Sequence, residues 1–289
     1  METPVQKKPL SESYPWQSQS YDLPESAAKC FARDGHITLR GVASASEVAE
    51  QRQVVADAIA RTEHTTLPMA QRDTYQKAFL KHMNLWSRDL EVRKYICAQR
   101  YGEIAARLMG VDGVRIYHDQ ALYKEPGGGH TPWHQDQHYW PVDTDNTITM
   151  WMPMVDLDPS MGILQFASGS HRDGYLGDMP ISDDSEAAFS NYVEDRGYRV
   201  SCDTALSAGD ATFHAGWTLH SAGPNSSERM REVMTVIWVA DGCRVSEPQN
   251  FNQHRDLQRW MPGLVPGDKV ASTLNPLVYH RDRRLMAGR

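Results

Sequence analysis

Hydrophobic and polar positions divide this chain into a helical first part and a strand-rich second part. Ser44 followed by Glu47 fits a capping box, and apolar residues recur behind it at helical spacing, which predicts a helix of roughly 44–62. A second helical stretch is predicted over "LEVRKYICAQRYGEIAARLMG", where Gly110 offers a C-terminal stop. Ahead of both helices, residues 37–39 are predicted to form a short strand.

The second part of the chain alternates short apolar runs with turn residues. The runs are β-branched or aromatic, and Gly, Pro, Asn and Asp separate them: "VRIYHDQALYKEP", "ITMWMPMVDL", "GILQFASGSH", "GDATFHAGWTL" and "REVMTVIWVADG". This texture is typical of a sandwich or barrel. We therefore expect a mainly β fold with flanking helices.

The length of 289 residues fits one large core better than two domains. Residues 1–20 are polar and are predicted to form a flexible N-terminal arm, which leaves 21–289 as a single domain. A polar segment near 172–200 has at least seven acidic residues. A segment of that length can form a lid over a site or a plain solvated insertion, and the sequence leaves both open.

The composition of the chain limits the classes of partner that it could bind. Hydrophobic residues make up 40% of the chain, and the net charge of -7, with no sustained Lys/Arg stripe, argues against nucleic acid or an anionic membrane. The four cysteines stand far apart, so neither a disulfide framework nor a structural zinc site is indicated. We find no signal peptide and no run of 18 apolar residues, and we expect a cytoplasmic protein.

The stretch "HTPWHQDQHYWPV" places a histidine and an aspartate two residues apart. In an extended strand the residues i and i+2 share a face, so His134 and Asp136 can both point inward while Gln135 turns away. They would supply two of the three ligands of a 2-His-1-carboxylate site for iron(II). Since H-x-D often arises by chance, an aromatic strand that merely contains histidines remains the alternative.

A second segment, "LHSAGPNSSERMR", adds candidate residues downstream. His220 ends a β-like run, and Arg231 follows eleven residues later at the start of another strand. A guanidinium there can bind a carboxylate through two parallel hydrogen bonds, as needed to hold the far end of a dicarboxylic keto acid. His214 competes with His220 as a ligand, and Arg229 competes with Arg231 as an anchor.

With these motifs the sequence resembles the phytanoyl-CoA dioxygenase (PhyH) family of Fe(II)- and 2-oxoglutarate-dependent oxygenases. The resemblance rests on "FARDGHITLRGV", "HQDQHYWP", "MGILQFASGSH", "LHSAGPNSSERMR" and "MPGLVPGD…LNPL", and it spans about residues 28–280. It implies a double-stranded β-helix, a jelly roll of two sheets, with Fe(II), 2-oxoglutarate and O2 as cofactor and co-substrates.

The resemblance also implies roles for individual residues. His134, Asp136 and His220 are the expected iron ligands, and Arg231 is the expected 2-oxoglutarate anchor. Many relatives place a serine two residues after the last histidine, where this chain has an alanine. Further expected co-substrate contacts are Gln120, Thr131, Trp151 and Lys124.

The implied function is hydroxylation of an unactivated C–H bond, with release of succinate and CO2. We expect a small, largely apolar metabolite, from a biosynthetic pathway, because the acidic segment after His171 disfavours the phosphates of an acyl-CoA thioester. Hydroxylation of an acyl-CoA thioester and a non-catalytic, cupin-like metal-binding module are the alternatives. A zinc hydrolase is disfavoured because no H-E-x-x-H motif is present.

Overall fold

The computed structural model describes residues 18–62 and 67–282. Within these ranges it contains seven α-helices and eleven β-strands. The helices are α1 (Ala27–Asp34), α2 (Ala45–Ala60), α3 (Thr74–Ala78), α4 (Leu90–Ile96), α5 (Gln99–Met109), α6 (Asp183–Asp195) and α7 (Phe251–Trp260). The strands are β1 (His36–Leu39), β2 (Leu80–Met83), β3 (Gly113–Lys124), β4 (Thr131–His134), β5 (Thr147–Pro153), β6 (Leu164–Ala167), β7 (Val200–Cys202), β8 (Ala211–Ala215), β9 (His220–Ala222), β10 (Arg231–Ala240) and β11 (Leu277–His280).

The strands form two antiparallel sheets. The larger has the order β1-β8-β5-β10-β3-β11, with β2 paired to β3, and the smaller has the order β4-β9-β6-β7. One hydrophobic cluster combines Trp151 and Val233 of the larger sheet with Leu164, Phe166 and Ala222 of the smaller, so the two sheets face each other. This is the expected double-stranded β-helix arrangement.

The helices of the first part cover the outer face of the larger sheet. Apolar residues of α2, α4 and α5 share one buried cluster with Met150, Phe213 and Trp238 from the strands. Helix α2 begins at the predicted capping box, where the Ser44 side chain accepts from the backbone N–H of Glu47. The large sheet is therefore buried on both faces, by helices outside and by the small sheet inside.

The prediction of a single second helix is wrong, because the structure has two helices in that stretch. Helix α4 ends at Ile96, Ala98 is extended with ψ 125°, and α5 then runs to Met109. Tyr95 and Tyr101, on either side of the break, are both fully buried. The break lets each helix bury its own apolar face, and no Gly or Pro in the sequence marks it. Gly110 does end α5, with a left-handed φ of 70°.

The long polar segment contains a helix that the sequence analysis did not predict. Ser182 caps α6. Phe189 and Val193 of α6 pack with Trp133 of β4, which makes this helix part of the wall next to the small sheet. Most of the predicted N-terminal arm lies outside the described residues. None of the helices in the described ranges has the length and apolar character needed to span a bilayer.

Candidate active site

Two histidines meet across the small sheet. His134 ends β4, His220 begins β9, and the two are register partners with ring centroids 4.0 Å apart. Asp136 completes the group, with Oδ1 lying 3.5 Å from Nε2 of His134 and 3.7 Å from Nε2 of His220. Among the described residues this group could hold a metal ion, since its ligand atoms all lie within 4.8 Å of one another.

Asp136 does not lie on a strand, contrary to the expectation from the H-x-D spacing. Strand β4 ends at His134, and Asp136 begins a 3₁₀ turn, Asp136–Tyr139. The spacing argument still holds locally, because Gln135 is extended, with φ −115° and ψ 126°. The amide of Gln135 turns away from Asp136 and donates to the carbonyl oxygens of Gly174 and Trp217, each at 2.8 Å.

Backbone carbonyls orient both imidazoles. Nδ1 of His134 lies 2.8 Å from the oxygen of Pro132, and Nδ1 of His220 lies 2.9 Å from the oxygen of Thr218. A carbonyl oxygen can only accept, so each Nδ1 carries a hydrogen, and in a neutral imidazole the Nε2 lone pair is then free for a metal. Burial, together with the neighbouring histidines, holds the pKa of His220 well below its usual range. Two imidazoles and a carboxylate form a suitable donor set for iron(II).

The second oxygen of Asp136 is also fixed. Oδ2 accepts from Thr149 Oγ1 at 2.8 Å and lies 3.0 Å from His214 Nε2. Although burial raises the pKa of Asp136, the surrounding histidines lower it well below the usual range, so the group is a carboxylate. His214, considered above as a rival ligand, therefore contacts Asp136 and does not belong to the group of three.

Arg231 lies in the same cavity as a buried cation. It is 1% exposed, and its guanidinium donates to the carbonyl oxygen of Gly162 and sits 5.4 Å from the centre of the Trp151 ring. Its Nε has no hydrogen-bond partner, and no ion pair joins Arg231 to an acidic residue in the described ranges. Burial lowers the pKa of Arg231 to about 9. A buried cation without a counter-charge is costly, so the geometry fits an anionic ligand.

Arg229 occupies a different environment. Its guanidinium is 57% exposed and pairs with Asp158 at 3.0 Å. It does not line the cavity. Of the two candidate anchors, only Arg231 can therefore face a ligand bound beside the three-residue group.

The structure brings three of the four further co-substrate candidates to the cavity. Gln120, Thr131 and Trp151 line it, whereas Lys124 does not. The Lys124 ammonium is fully buried and donates to the carbonyl oxygens of Gly129 and Gly223. Burial lowers the pKa of Lys124 to about 6. Lys124 thus ties β3 to two loops behind the cavity, and its contact with a co-substrate stays a prediction.

The chain has no serine hydroxyl at the position where many relatives have one. Ala222 occupies it, and the hydroxyl of the neighbouring Ser221 accepts from the Gln165 amide at 2.7 Å. Alternate residues of a strand face opposite sides, so Ser221 is directed away from the side that His220 and Ala222 share. Ser221 therefore does not take the place of that serine.

The cavity has a volume of about 330 Å³. Aromatic and apolar side chains form part of its wall, and polar and charged side chains form the rest. The sequence analysis missed a group of polar and charged residues that also line the cavity. They come from β2 and from one face of α7: Lys81, Asn252, Arg255, Asp256 and Arg259. On α7 they occur at positions i, i+3, i+4 and i+7, a helical spacing that the sequence does show.

Comparison with known proteins agrees with this site. Residues 31–233, more than half of the chain, match the family model described as phytanoyl-CoA dioxygenase (PhyH). The chain is 25% identical over 139 residues to a probable alpha-ketoglutarate-dependent hypophosphite dioxygenase of Stutzerimonas stutzeri. The aligned residues cover 45% of this chain and 46% of that protein. The chain is 26% identical over 152 residues to a methylphosphonate hydroxylase of Gimesia maris, over 52% of this chain and 54% of that protein. The match thus spans about half the length of these curated relatives.

A solved structure shares the fold over nearly the whole chain. It is the non-heme alpha ketoglutarate dependent carbocyclase SnoK from nogalamycin biosynthesis, with a TM-score of 0.72 and 23% sequence identity. The superposition covers 89% of this chain and 97% of that one. The double-stranded β-helix predicted from the sequence is thereby confirmed.

Proposed function

The chain belongs to the phytanoyl-CoA dioxygenase family of Fe(II)- and 2-oxoglutarate-dependent oxygenases, and from that premise we propose that it hydroxylates a C–H bond of a small metabolite. The balanced reaction consumes the substrate, O2 and 2-oxoglutarate, and yields the hydroxylated product, succinate and CO2. The observation that carries the proposal is a donor set of two imidazoles and a carboxylate in one cavity with the buried guanidinium of Arg231, which has no acidic partner among the described residues.

His134, Asp136 and His220 would hold the iron. When bound, iron(II) supplies the activation of O2 that drives oxidation of a C–H bond. The chain itself fixes the donor atoms before any metal arrives, since two backbone carbonyls hold the imidazoles and Thr149 holds the carboxylate. Pre-set ligands reduce the entropy lost when the metal binds.

Arg231 would bind the distal carboxylate of 2-oxoglutarate. The guanidinium is held against the Trp151 ring and by the Gly162 carbonyl, so it meets the ligand in a fixed orientation. Thr131 and Gln120 line the cavity nearby, with polar atoms suited to the remaining oxygens of the keto acid. Burial of this end of the cavity excludes water and strengthens the charge-assisted bonds.

The size of the cavity supports a small substrate. A volume of about 330 Å³ lies at the lower end of the range for ligand pockets, and here it must hold both the co-substrate and the reacting part of the substrate. The nucleotide part of an acyl-CoA thioester would have to lie outside. The curated relatives are named for hypophosphite and methylphosphonate, which are also small. A cupin-like module without turnover is disfavoured because the ligand set and Arg231 are both intact.

Reconstitution with Fe(II) under anaerobic conditions tests the proposal. After O2 is admitted, we expect 2-oxoglutarate to be converted to succinate in an iron-dependent reaction that a set of small metabolites stimulates. Calorimetry without O2 should show that 2-oxoglutarate binds the metal-loaded protein. A protein that binds Fe(II) and 2-oxoglutarate but never forms succinate would support the non-catalytic module instead.

A further inference from the structure

The cavity has a second cationic group, distinct from the Arg231 end. Arg255 and Arg259 lie on the cavity face of α7, and Lys81 of β2 also lines the cavity. None of these three side chains forms an ion pair within 18–62 and 67–282, whereas Arg229 pairs with Asp158. Their charges are therefore available to a ligand.

Local contacts orient these cations while leaving donors free. Lys81 Nζ donates to the Tyr75 hydroxyl at 2.6 Å, and Arg255 donates one N–H to the Asn252 side chain at 3.2 Å. The guanidinium of Arg259 lies 4.6 Å from the centre of the Trp260 ring. An ammonium has three N–H donors and a guanidinium five, so most of the donors remain unused.

The one acidic residue on this face offsets little of the positive charge. Asp256 is 7% exposed, and its carboxyl accepts from the Tyr117 hydroxyl at 3.4 Å. Burial raises the pKa of Asp256 to about 7, although the charges of Arg255, Lys81 and Arg259 oppose that shift. The three cations thus face a carboxyl group that is only partly ionised near neutral pH.

The register of the large sheet separates the α7 arginines of this group from the co-substrate anchor. Arg231 on β10 lies opposite Lys124 on β3, and six residues further along β10, Ile237 lies opposite His118. Six residues of strand span roughly 20 Å. His118 lines the cavity. Burial lowers the pKa of His118, and the positive charges of Lys81 and Arg259 lower it further. Trp260 of α7 contacts His118, with ring centroids 5.5 Å apart, so the α7 arginines Arg255 and Arg259 lie near this end. Lys81 pairs with Leu122 and therefore lies between this end and Arg231.

We propose that the substrate itself is a small organic anion, whose carboxylate or phosphonate group is bound by Lys81, Arg255 and Arg259 while its carbon chain extends toward the three-residue metal site. The inference rests on the proposed function and names the class of its substrate. It modifies the expectation of a largely apolar metabolite, since the chain would be apolar and one end charged. Arginine suits this role because it meets both anions with paired hydrogen bonds.

Binding measurements with matched probes test the inference. Calorimetry uses protein saturated with Mn(II) and 2-oxoglutarate, so that the Arg231 end is occupied. The probes are hexanoate against methyl hexanoate, and hexylphosphonate against its dimethyl ester, with hexanoyl-CoA as a further arm. We expect at least one acid to bind about tenfold or more tightly than its neutral partner, the loss expected for a charge-assisted bond.

Variants assign the preference to these side chains. The triple variant Lys81→Met, Arg255→Gln, Arg259→Gln should lose the preference for the acid and still bind 2-oxoglutarate as the unchanged protein does. Arg199→Gln is the matched control, because Arg199 is 67% exposed and does not line the cavity. Circular dichroism checks that each variant folds.

The outcomes separate the inference from the proposed function. A protein that binds no 2-oxoglutarate with Mn(II) overturns the proposed function. A protein that binds 2-oxoglutarate but treats each acid and its ester alike overturns only the inference, as does a preference that survives in the triple variant. Binding of hexanoyl-CoA alone would assign the cations to the phosphates of a thioester and overturn the small-anion substrate.

Discussion

His214 Nε2 lies 3.0 Å from Oδ2 of Asp136, the carboxylate oxygen that does not face His134 and His220. Thr149, the register partner of His214 across β5 and β8, donates its hydroxyl to the same oxygen. An ionised carboxylate only accepts, so His214 is protonated at Nε2. One oxygen of Asp136 is thus used by the protein, which leaves the other for a metal.

We predict that Thr149→Val weakens iron binding by about 10- to 100-fold, because partners behind a metal ligand hold it in its binding orientation. The metal-free fold should persist, since valine has nearly the shape of threonine. Titration with Fe(II) under anaerobic conditions measures the affinity. Thr212→Val is the matched control: Thr212 is equally buried on β8, and its hydroxyl makes no hydrogen bond within the described part of the chain. Equal affinities in the two variants would remove Thr149 from the site.

Arg231→Lys should raise the apparent requirement for 2-oxoglutarate, because an ammonium cannot form the planar pair of hydrogen bonds. The lost charge-assisted bond is worth about 1.5–3 kcal/mol, which corresponds to roughly tenfold to hundredfold weaker binding of 2-oxoglutarate. The measurement is succinate formation against 2-oxoglutarate concentration. Arg229→Lys, two residues away and paired with Asp158 on the surface, should leave it unchanged. The reverse result would make Arg229 the anchor.

The strands of the core could be predicted because their apolar residues are contiguous and turn residues bound them. The candidate metal ligands could be proposed for a similar reason, since H-x-D and the segment from His220 to Arg231 are local patterns. The break at Ala98 could not be predicted, because only the burial of Tyr95 and Tyr101 in three dimensions requires it. The contact of His214 with Asp136 depends on the pairing of β5 with β8, which no local pattern contains.

The charged face of α7 shows a different limit. Its spacing of 252, 255, 256 and 259 is visible in the sequence, but a charged helix face is usually solvated. What makes it part of a cavity is the packing of Trp260 and Met261 with Tyr117 and Trp140 from distant segments. A face with that composition is informative only once its neighbours are known.

We expect His134→Ala, Asp136→Ala and His220→Ala each to abolish iron binding or turnover while the fold largely remains. His134 and His220 lie at strand ends, Asp136 lies in the turn after β4, and all three side chains line the cavity. Metal content and circular dichroism, measured together, distinguish a lost site from a lost fold. If a variant keeps full activity, the residue it replaces is not an iron ligand.

Asp119 should make stability depend on pH. It is fully buried, accepts from the backbone N–H groups of Leu85 and Trp86, and burial raises its pKa to about 7. A carboxyl whose pKa is raised by folding contributes fully below its unfolded pKa, and the contribution is lost as pH rises through the folded value. Between pH 5 and pH 7 we expect the free energy of unfolding to fall by about 2 kcal/mol. Asp119→Asn, which keeps the acceptor, should remove this decrease, as denaturant unfolding at both pH values would show. An unchanged pH dependence in the variant would place the titration elsewhere.

Asp136 also limits the outcome of the reaction. Iron halogenases that resemble this family have a small residue in place of the carboxylate ligand, which leaves a coordination position for chloride. Here the carboxylate is present and is held by Thr149 and His214, so it is not free to turn away from the other two ligands. Turnover of the native substrate in the presence of chloride should therefore give a product whose mass differs by one added oxygen, or by two lost hydrogens in a desaturation or ring closure. Mass spectrometry of the product distinguishes these cases, and a chlorinated product would contradict the assignment of Asp136 as a ligand.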